Sequence, residues 1–356
     1  MDDLKSILIV KMTAIGDVVT ATPVAESIRK AYPEAHIAWL VDERCREAVI
    51  GNPYVDEILM WDTSNCWKGF RTALGVIKQM RSARFDVAID FQGLAKSSIM
   101  AYLSGAKLRI GFANGREHSS LLYNRTLECD VVPHRMSCHR LLLDLVGIPE
   151  ESASRDMLIS LTEEHRIECG QLLAMEGVKD NEDVVALVPA TTRRHKHWVE
   201  DRWAHVADAM SGMGLVPVFL GGPNDIDLVE AIRGKTKTRT MSLAGKTTLK
   251  VAAALTERAR LTVAVDTGLM HISVAVGTPT VALYGPTAEW RNHTSRPNFT
   301  VVIKDFSCAP CYRKPTCENY DCMRAITVDD VMEAAAGLPA GPPEPGAAGE
   351  KRRVSC

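Results

Sequence analysis

Apolar positions along the chain follow two alternating periods. Runs such as residues 6–11 (SILIVK) are almost wholly apolar, too short for a helix and rich in isoleucine and valine, so they predict strands buried on both faces. Between them, apolar residues recur three or four apart. Residues 23–32 (PVAESIRKAY) put Val24, Ile28 and Ala31 on one face, which predicts an amphipathic helix. Thr22 before Pro23 either caps that helix or marks a kink in one that begins at Asp17. The alternation continues through HIAWLVDE, EILMW, a helix in FRTALGVIKQMRSA, DVAID, a helix in GLAKSSIMAYL, and KLRIGF. A more polar, helical stretch covers 150–182 and reads as a connection. A second series starts at DVVALVPA and closes with LTVAVD, the helix GLMHISVAVG and PTVALYG.

Strand–helix alternation of this kind implies parallel sheets covered by helices on both faces. The reading is therefore α/β, with two successive Rossmann-like, doubly wound domains facing a central cleft. The first covers 1–165, a linker 166–182, and the second 183–336. The Gly/Pro-rich residues 337–356 are expected to be a disordered tail.

Composition adds exclusions. Of the 356 residues, 46% are hydrophobic and 24% charged, the balance of a soluble globular chain, and the formal net charge of -2 argues against wholesale nucleic-acid binding. No apolar run reaches the roughly 18 residues of a membrane span. The start MDDLKSILIV is acidic and then strand-like, so no secretory leader is expected and the location should be cytoplasmic. Of ten cysteines, six are scattered (Cys45, Cys66, Cys129, Cys138, Cys169, Cys356), which suits reduced thiols.

In open parallel sheets, ligands bind beyond the carboxyl ends of the strands, so the loops there are the candidate sites. After the first strand comes KMTAIGD. Asp17 there is either a helix N-cap or a carboxylate base facing the cleft. PATTRRHKHW follows a later strand and offers Thr191, Thr192, Arg193, Arg194, His195 and Lys196. It is either a solvated basic turn or a diphosphate site, and it lacks the glycines of a Walker loop. In FLGGPND, Gly221 and Gly222 allow close backbone approach, and Asp225 can accept from ribose hydroxyls; a plain turn fits as well. DTGLMH invites comparison with aspartic proteases, but one Asp-Thr-Gly on an α/β scaffold does not make their paired carboxylates. It reads instead as a strand-end turn in which Gly268 opens a helix whose free amides suit an anion. Asp266 and His271 then line the cleft, with YGPT (284–287) beside them.

Taken in order, ILIVKMTAIGDVVTATP, AIDFQGLAKSS, GREHSSLLYNR, TTRRHKHW, VDTGLMHISVAVGTPTVALYGPT and CAPCYRKPTCENYDCMRAIT resemble glycosyltransferase family 9, the bacterial lipopolysaccharide heptosyltransferases. The resemblance spans residues 7–327 and implies a GT-B fold, with the acceptor mainly in the first domain and the nucleotide sugar mainly in the second. It implies inverting transfer of heptose from ADP-heptose to the lipopolysaccharide inner core, Kdo or heptose, at the inner face of the inner membrane. Asp17 matches the family's general base. Lys196 matches the lysine that steadies the departing diphosphate, so no metal is required for the chemistry. Asp225, Asp266, Thr267, Gly268 and His271 match donor-binding positions, with Thr191, Thr192 and Gly222 beside them. Lys11, Lys96 and Arg116 match basic positions for an anionic acceptor. GREHSS departs from the pattern at His118, which bears on the acceptor's identity. Against this stand a transferase with another nucleotide sugar, and a non-catalytic nucleotide-binding module.

Cys308, Cys311, Cys317 and Cys322 form C-x2-C-x5-C-x4-C. They read as a structural zinc site, as redox pairs or as thiols without a ligand.

Overall fold

The computed structural model describes residues 4–339 except 65, 130–134, 288–296, 313, 314 and 316, so most of the expected tail lies outside the described residues. The strands are β1 (Ser6–Val10), β2 (His36–Asp42), β3 (Glu57–Trp61), β4 (Val87–Asp90), β5 (Leu108–Phe112), β6 (Arg125–Leu127), β7 (Val184–Val188), β8 (Val216–Phe219), β9 (Met241–Ser242), β10 (Leu261–Val265), β11 (Thr280–Leu283) and β12 (Phe299–Val302). The helices are α1 (Ile15–Val19), α2 (Pro23–Ala31), α3 (Cys66–Ala83), α4 (Ala95–Leu103), α5 (Arg135–Asp144), α6 (Glu163–Met175), α7 (Glu200–Gly212), α8 (Ile226–Arg233), α9 (Leu249–Arg258), α10 (Gly268–Ala275), α11 (Asp321–Arg324) and α12 (Val328–Ala336).

The strands form two six-stranded sheets, β3-β2-β1-β4-β5-β6 and β12-β11-β10-β7-β8-β9, and every pairing is parallel. Counted from its own first strand, the second sheet repeats the order of the first. Both are the doubly wound arrangement, as the alternation predicts. Strands β4, β7 and β10 are buried along their length, and β1 from Ile7 onward, because helices cover both faces. Two strands escaped the pattern. Both lie at sheet edges: two of β6's three residues are exposed, because an edge imposes no apolar run, whereas β12 is a short apolar strand, FTVV, that is only partly buried.

At the first crossover the structure chooses the kink. Thr22 is helical at φ -56° and caps nothing; its hydroxyl donates to the Val19 carbonyl at 2.7 Å, and α2 starts anew at Pro23. The polar stretch after 150 contains α6. This helix buries Cys169 and Leu173 and pairs Arg166 with Glu257 of α9 at 2.7 Å.

Helix α9 is also tied to the first half of the chain by a buried lysine. The Lys250 ammonium donates to the Ile50 carbonyl at 2.9 Å and to the Ser160 carbonyl. Its backbone amide donates to Glu47 at 3.2 Å. Burial lowers the Lys250 pKa from its ordinary 10.5 to about 8. The folded chain thus binds this proton less tightly than the unfolded chain, so this group makes stability rise with pH between about 8 and 10.5. Lys250→Met is expected to remove that rise. Urea midpoints of both proteins across the window check it, and parallel curves would refute it.

Candidate active site

In each sheet the chain reverses its direction of winding between two neighbouring strands: β1 and β4 in the first, β7 and β10 in the second. The loops leaving such neighbours diverge to opposite faces and open a crevice. The four loops concerned begin at Lys11, Phe91, Pro189 and Asp266.

In the first half, the loop after β4 holds the loop after β1. Asp90, fully buried, accepts from the Gln92 amide at 2.7 Å, the Gly93 amide at 3.2 Å and the Tyr123 hydroxyl at 2.6 Å. Burial raises its pKa, against these bonds. Gln92, so positioned, accepts from the amides of Met12 and Thr13 at 3.2 and 3.1 Å. That fixes the approach to Asp17, which lies half-buried in the first turn of α1. The N-cap of α1 is Ala14, so the capping alternative for Asp17 fails.

In the second half, Lys196 donates to Asp266 Oδ2 at 2.6 Å, and the Thr287 hydroxyl donates to the same oxygen at 2.7 Å. Burial would push the Asp266 carboxyl up, but Lys196, His271 and Thr287 outweigh it and hold it below the usual carboxylate range. The Thr191 hydroxyl donates to the Asp266 carbonyl at 3.4 Å. His197 Nε2 donates to the Thr191 carbonyl at 2.7 Å, and buried His195 donates from Nε2 to the Tyr312 carbonyl at 2.8 Å. Asp225 accepts from the Gly222 amide at 2.8 Å, so its carboxylate sits on a fixed turn. Thr267 is the N-cap residue of α10 and makes no side-chain cap bond.

The two halves meet at a pair of glycines. A Cβ on Gly16 would lie 2.7 Å from His271 Cδ2 and 3.4 Å from Gly268 Cα, and one on Gly268 would lie 3.1 Å from Ile15 Cγ2. Both positions need the missing side chain for the α1 and α10 starts to approach. Around this contact lies a cleft of about 750 Å³, lined from the first half by Thr13–Asp17, Arg44 and Cys45 and from the second by the loops just described. That volume falls within the roughly 300–1,000 Å³ usual for a small-molecule site.

The family model described as glycosyltransferase family 9 (heptosyltransferase) matches residues 73–320. The chain belongs to glycosyltransferase family 9. As a family 9 glycosyltransferase it is an enzyme, and its two-sheet architecture is the GT-B fold. It is 26% identical over 284 residues to the lipopolysaccharide core heptosyltransferase OpsX of Haemophilus influenzae, covering 79% of each chain. The crystal structure of a family 9 glycosyltransferase from Veillonella parvula superposes with a TM-score of 0.83 at 25% identity, covering 94% of this chain and 97% of that one. The Escherichia coli ADP-heptose lipopolysaccharide heptosyltransferase II shares the fold, with a TM-score of 0.77 at 20% identity over 94% and 98% of the two chains.

In this family 9 chain the cleft brings together Asp17, Thr191, Thr192, Lys196, Gly222, Asp225, Asp266, Thr267, Gly268 and His271. The basic positions divide. Lys96 lies in the first turn of α4, 5.9 Å from the Trp61 ring centroid. Exposed Arg116 is on the adjoining loop, its amide bonded to the Gly93 carbonyl at 3.0 Å. Lys11 must be withdrawn as an acceptor contact. It is 3% exposed, and its ammonium donates to the Phe91 carbonyl at 2.8 Å with His139 at 3.4 Å. A lysine at the end of a strand buried on both faces turned inward to a carbonyl and an imidazole rather than out to the cleft.

The cysteine expectations also need correction. Among the described residues no three His, Cys, Asp or Glu side chains are placed to hold a metal ion, so Cys308, Cys311, Cys317 and Cys322 give zinc no support. Cys322 is a core thiol, and burial, with Cys317, Cys311 and Cys308 acting on it, pushes its pKa up. Cys129 and Cys138, expected as separate thiols, are joined in a disulfide. The end of β6 and the start of α5 bring them together, which spacing did not reveal.

Sequence reasoning overlooked Asp42 and Arg44. Buried Asp42, last in β2, accepts from the Arg44 amide, Nε and Nη2 at 3.0, 2.8 and 2.9 Å, and from the Thr63 hydroxyl. Burial opposes ionisation, but these bonds hold its pKa at about 2 and fix Arg44 at the cleft rim. The signal was available, since Asp42 is a strand-end acid like Asp90 and Asp266.

Proposed function

We propose that the enzyme transfers heptose from ADP-heptose to the inner core of lipopolysaccharide, onto Kdo or heptose, with inversion at the anomeric carbon. The chain's similarity to lipopolysaccharide heptosyltransferases supports the substrate class. The single observation that carries the mechanism is the placement of Asp17 and the Lys196–Asp266 pair across one cleft. Asp17 takes the proton of the acceptor hydroxyl as that oxygen bonds to the anomeric carbon. The bond from that carbon to the diphosphate oxygen breaks, and ADP departs. Lys196, the hydroxyls of Thr191 and Thr192 and the first amides of α10 meet the charge that develops on it. Asp225 accepts from the ribose, while Asp266 and His271 face the heptose. Lys96 and Arg116 meet the anionic groups of the acceptor. The lipid-linked acceptor makes the enzyme peripheral on the cytosolic membrane face; no described helix is long and apolar enough to cross a membrane.

The test is transfer from ADP-heptose to purified truncated core acceptors, with linkage analysis of the product. One new heptose per acceptor is expected, on Kdo or on heptose, with the anomeric configuration opposite to that of the donor. Preference for UDP- or GDP-sugars would overturn the donor assignment.

A further inference from the structure

The outer face of the first sheet's α3–α4 layer carries exposed apolar side chains among predominantly basic ones. Residues 63–85 contain Lys68, Arg71, Lys78, Arg81 and Arg84 and no Asp or Glu; residues 91–116 contain Lys96, Lys107, Arg109 and Arg116 and again none. This contrasts with the whole chain's net charge of -2. Along α3, Val76 and Met80 turn inward and pack with Met100 and Ala101 of α4 under the same face of β1, β2 and β4. The opposite stripe of α3, spaced four, four and three residues apart, is Phe70, Leu74, Lys78 and Arg81. Phe70 is 62% and Leu74 54% exposed; on α4, Ile99 is 46% and Tyr102 52%, and Leu121 on the next turn is 80%. The two helices are held side by side. Arg81 Nε donates to the Leu103 carbonyl at 3.0 Å, and Arg109 lies 5.3 Å from the Tyr102 ring centroid. Leu74, Ile77, Lys78, Arg81, Ser82 and Arg84 border an open groove along it.

We infer that this α3–α4 face is the surface by which the enzyme docks on an anionic lipid bilayer. Large apolar side chains ringed by lysine and arginine are what an interfacial helix presents: the apolar groups enter the headgroup boundary while the cations meet lipid phosphates. Charge complementarity selects this occupant, because α3 carries Arg71, Lys78 and Arg81 and no acid, with Arg84, Lys96 and Arg109 beside it, while the bordering acids Asp86 and Glu117 are engaged by Lys107 and the Ala95 amide; such a face is matched by a negative surface. The N-terminal end of α3 follows β3 at the cleft rim, where Arg44 Nη2 donates to Thr63 at 3.1 Å. Docking through this flank therefore holds the cleft mouth close to the membrane. The inference rests on the proposed lipid-linked acceptor for its purpose, though not for its geometry.

The full-length enzyme is tested by co-sedimentation with vesicles of phosphatidylglycerol and phosphatidylethanolamine, and with phosphatidylcholine alone. Wild type is expected to sediment with the anionic vesicles, less so at high salt, and to stay in solution with phosphatidylcholine. Phe70→Ser/Leu74→Ser and Arg71→Glu/Lys78→Glu should each weaken partition by roughly tenfold or more. Both pairs are exposed, so thermal unfolding like wild type's is expected and shows that each variant folds. Transfer to a soluble, deacylated core oligosaccharide should be unchanged in both, while transfer to vesicle-embedded acceptor falls. Wild type that ignores anionic vesicles, or variants that sediment equally, would overturn the inference. So would variants that only convert a dimer to a monomer, which would assign the face to a second copy. Vesicle binding without transfer of any heptose would leave the docking face standing and remove the functional reading alone.

Discussion

Asparagine at position 17 is expected to cost roughly 10²–10⁴-fold in transfer rate while ADP binds as in wild type. The carboxamide has the carboxylate's shape but cannot accept the acceptor's proton. Asp17 is not the N-cap of α1, so the exchange leaves the helix start intact. The Gln92 bonds that position its loop go to the amides of Met12 and Thr13 and are untouched by the change. The proposed donor contacts lie on the other sheet, so isothermal titration with ADP should give an unchanged affinity. Steady-state transfer within a few-fold of wild type would remove Asp17 as the base.

Lys196→Ala has a second large effect, on two observables at once. The lysine is mostly buried and is bonded at 2.6 Å to a carboxylate that is itself buried. Removing it strands that charge, and breaking a buried pair from one side costs about 3–5 kcal/mol. The variant should therefore unfold at lower temperature, bind ADP more weakly and transfer more slowly. Replacing both partners by apolar groups, as in Lys196→Met/Asp266→Leu, should restore much of the stability and none of the transfer. That double variant separates the structural effect from the chemical one. Because the Asp266 carboxyl is more acidic folded than unfolded, its stabilisation is complete above the unfolded value of about 3.9 and disappears as pH falls below it. Wild-type stability and ADP affinity in Lys196→Ala would refute the assignment.

The pairing refines what strand-end position alone suggested. Asp266 and Lys196 are 70 residues apart, and the resemblance offers one as a donor-binding position and the other as the diphosphate contact. In the fold they are one unit. Because β7 and β10 are neighbours, the loops that leave them border one crevice, and burial makes each charge require the other. Lys11 shows the converse. The resemblance offers it as a basic contact for the acceptor, yet its strand is enclosed on both faces, and the ammonium donates to the Phe91 carbonyl instead.

Local physics determined a large part of this protein from sequence alone. The uninterrupted apolar runs, the helical periodicity between them and the polar residues at strand ends were enough for two doubly wound sheets and for the loops that make the cleft. Those features are short-range consequences of which side chains must leave water. Tertiary structure alone decided what depends on distance across the chain. It placed Gly16 against Gly268 and His271, closed Lys196 on Asp266, bonded Cys129 to Cys138 and left the four later cysteines without a metal arrangement among the described residues. Edge strand β6 belongs with these, because an exposed strand is held by its neighbour's hydrogen bonds and needs no apolar pattern of its own.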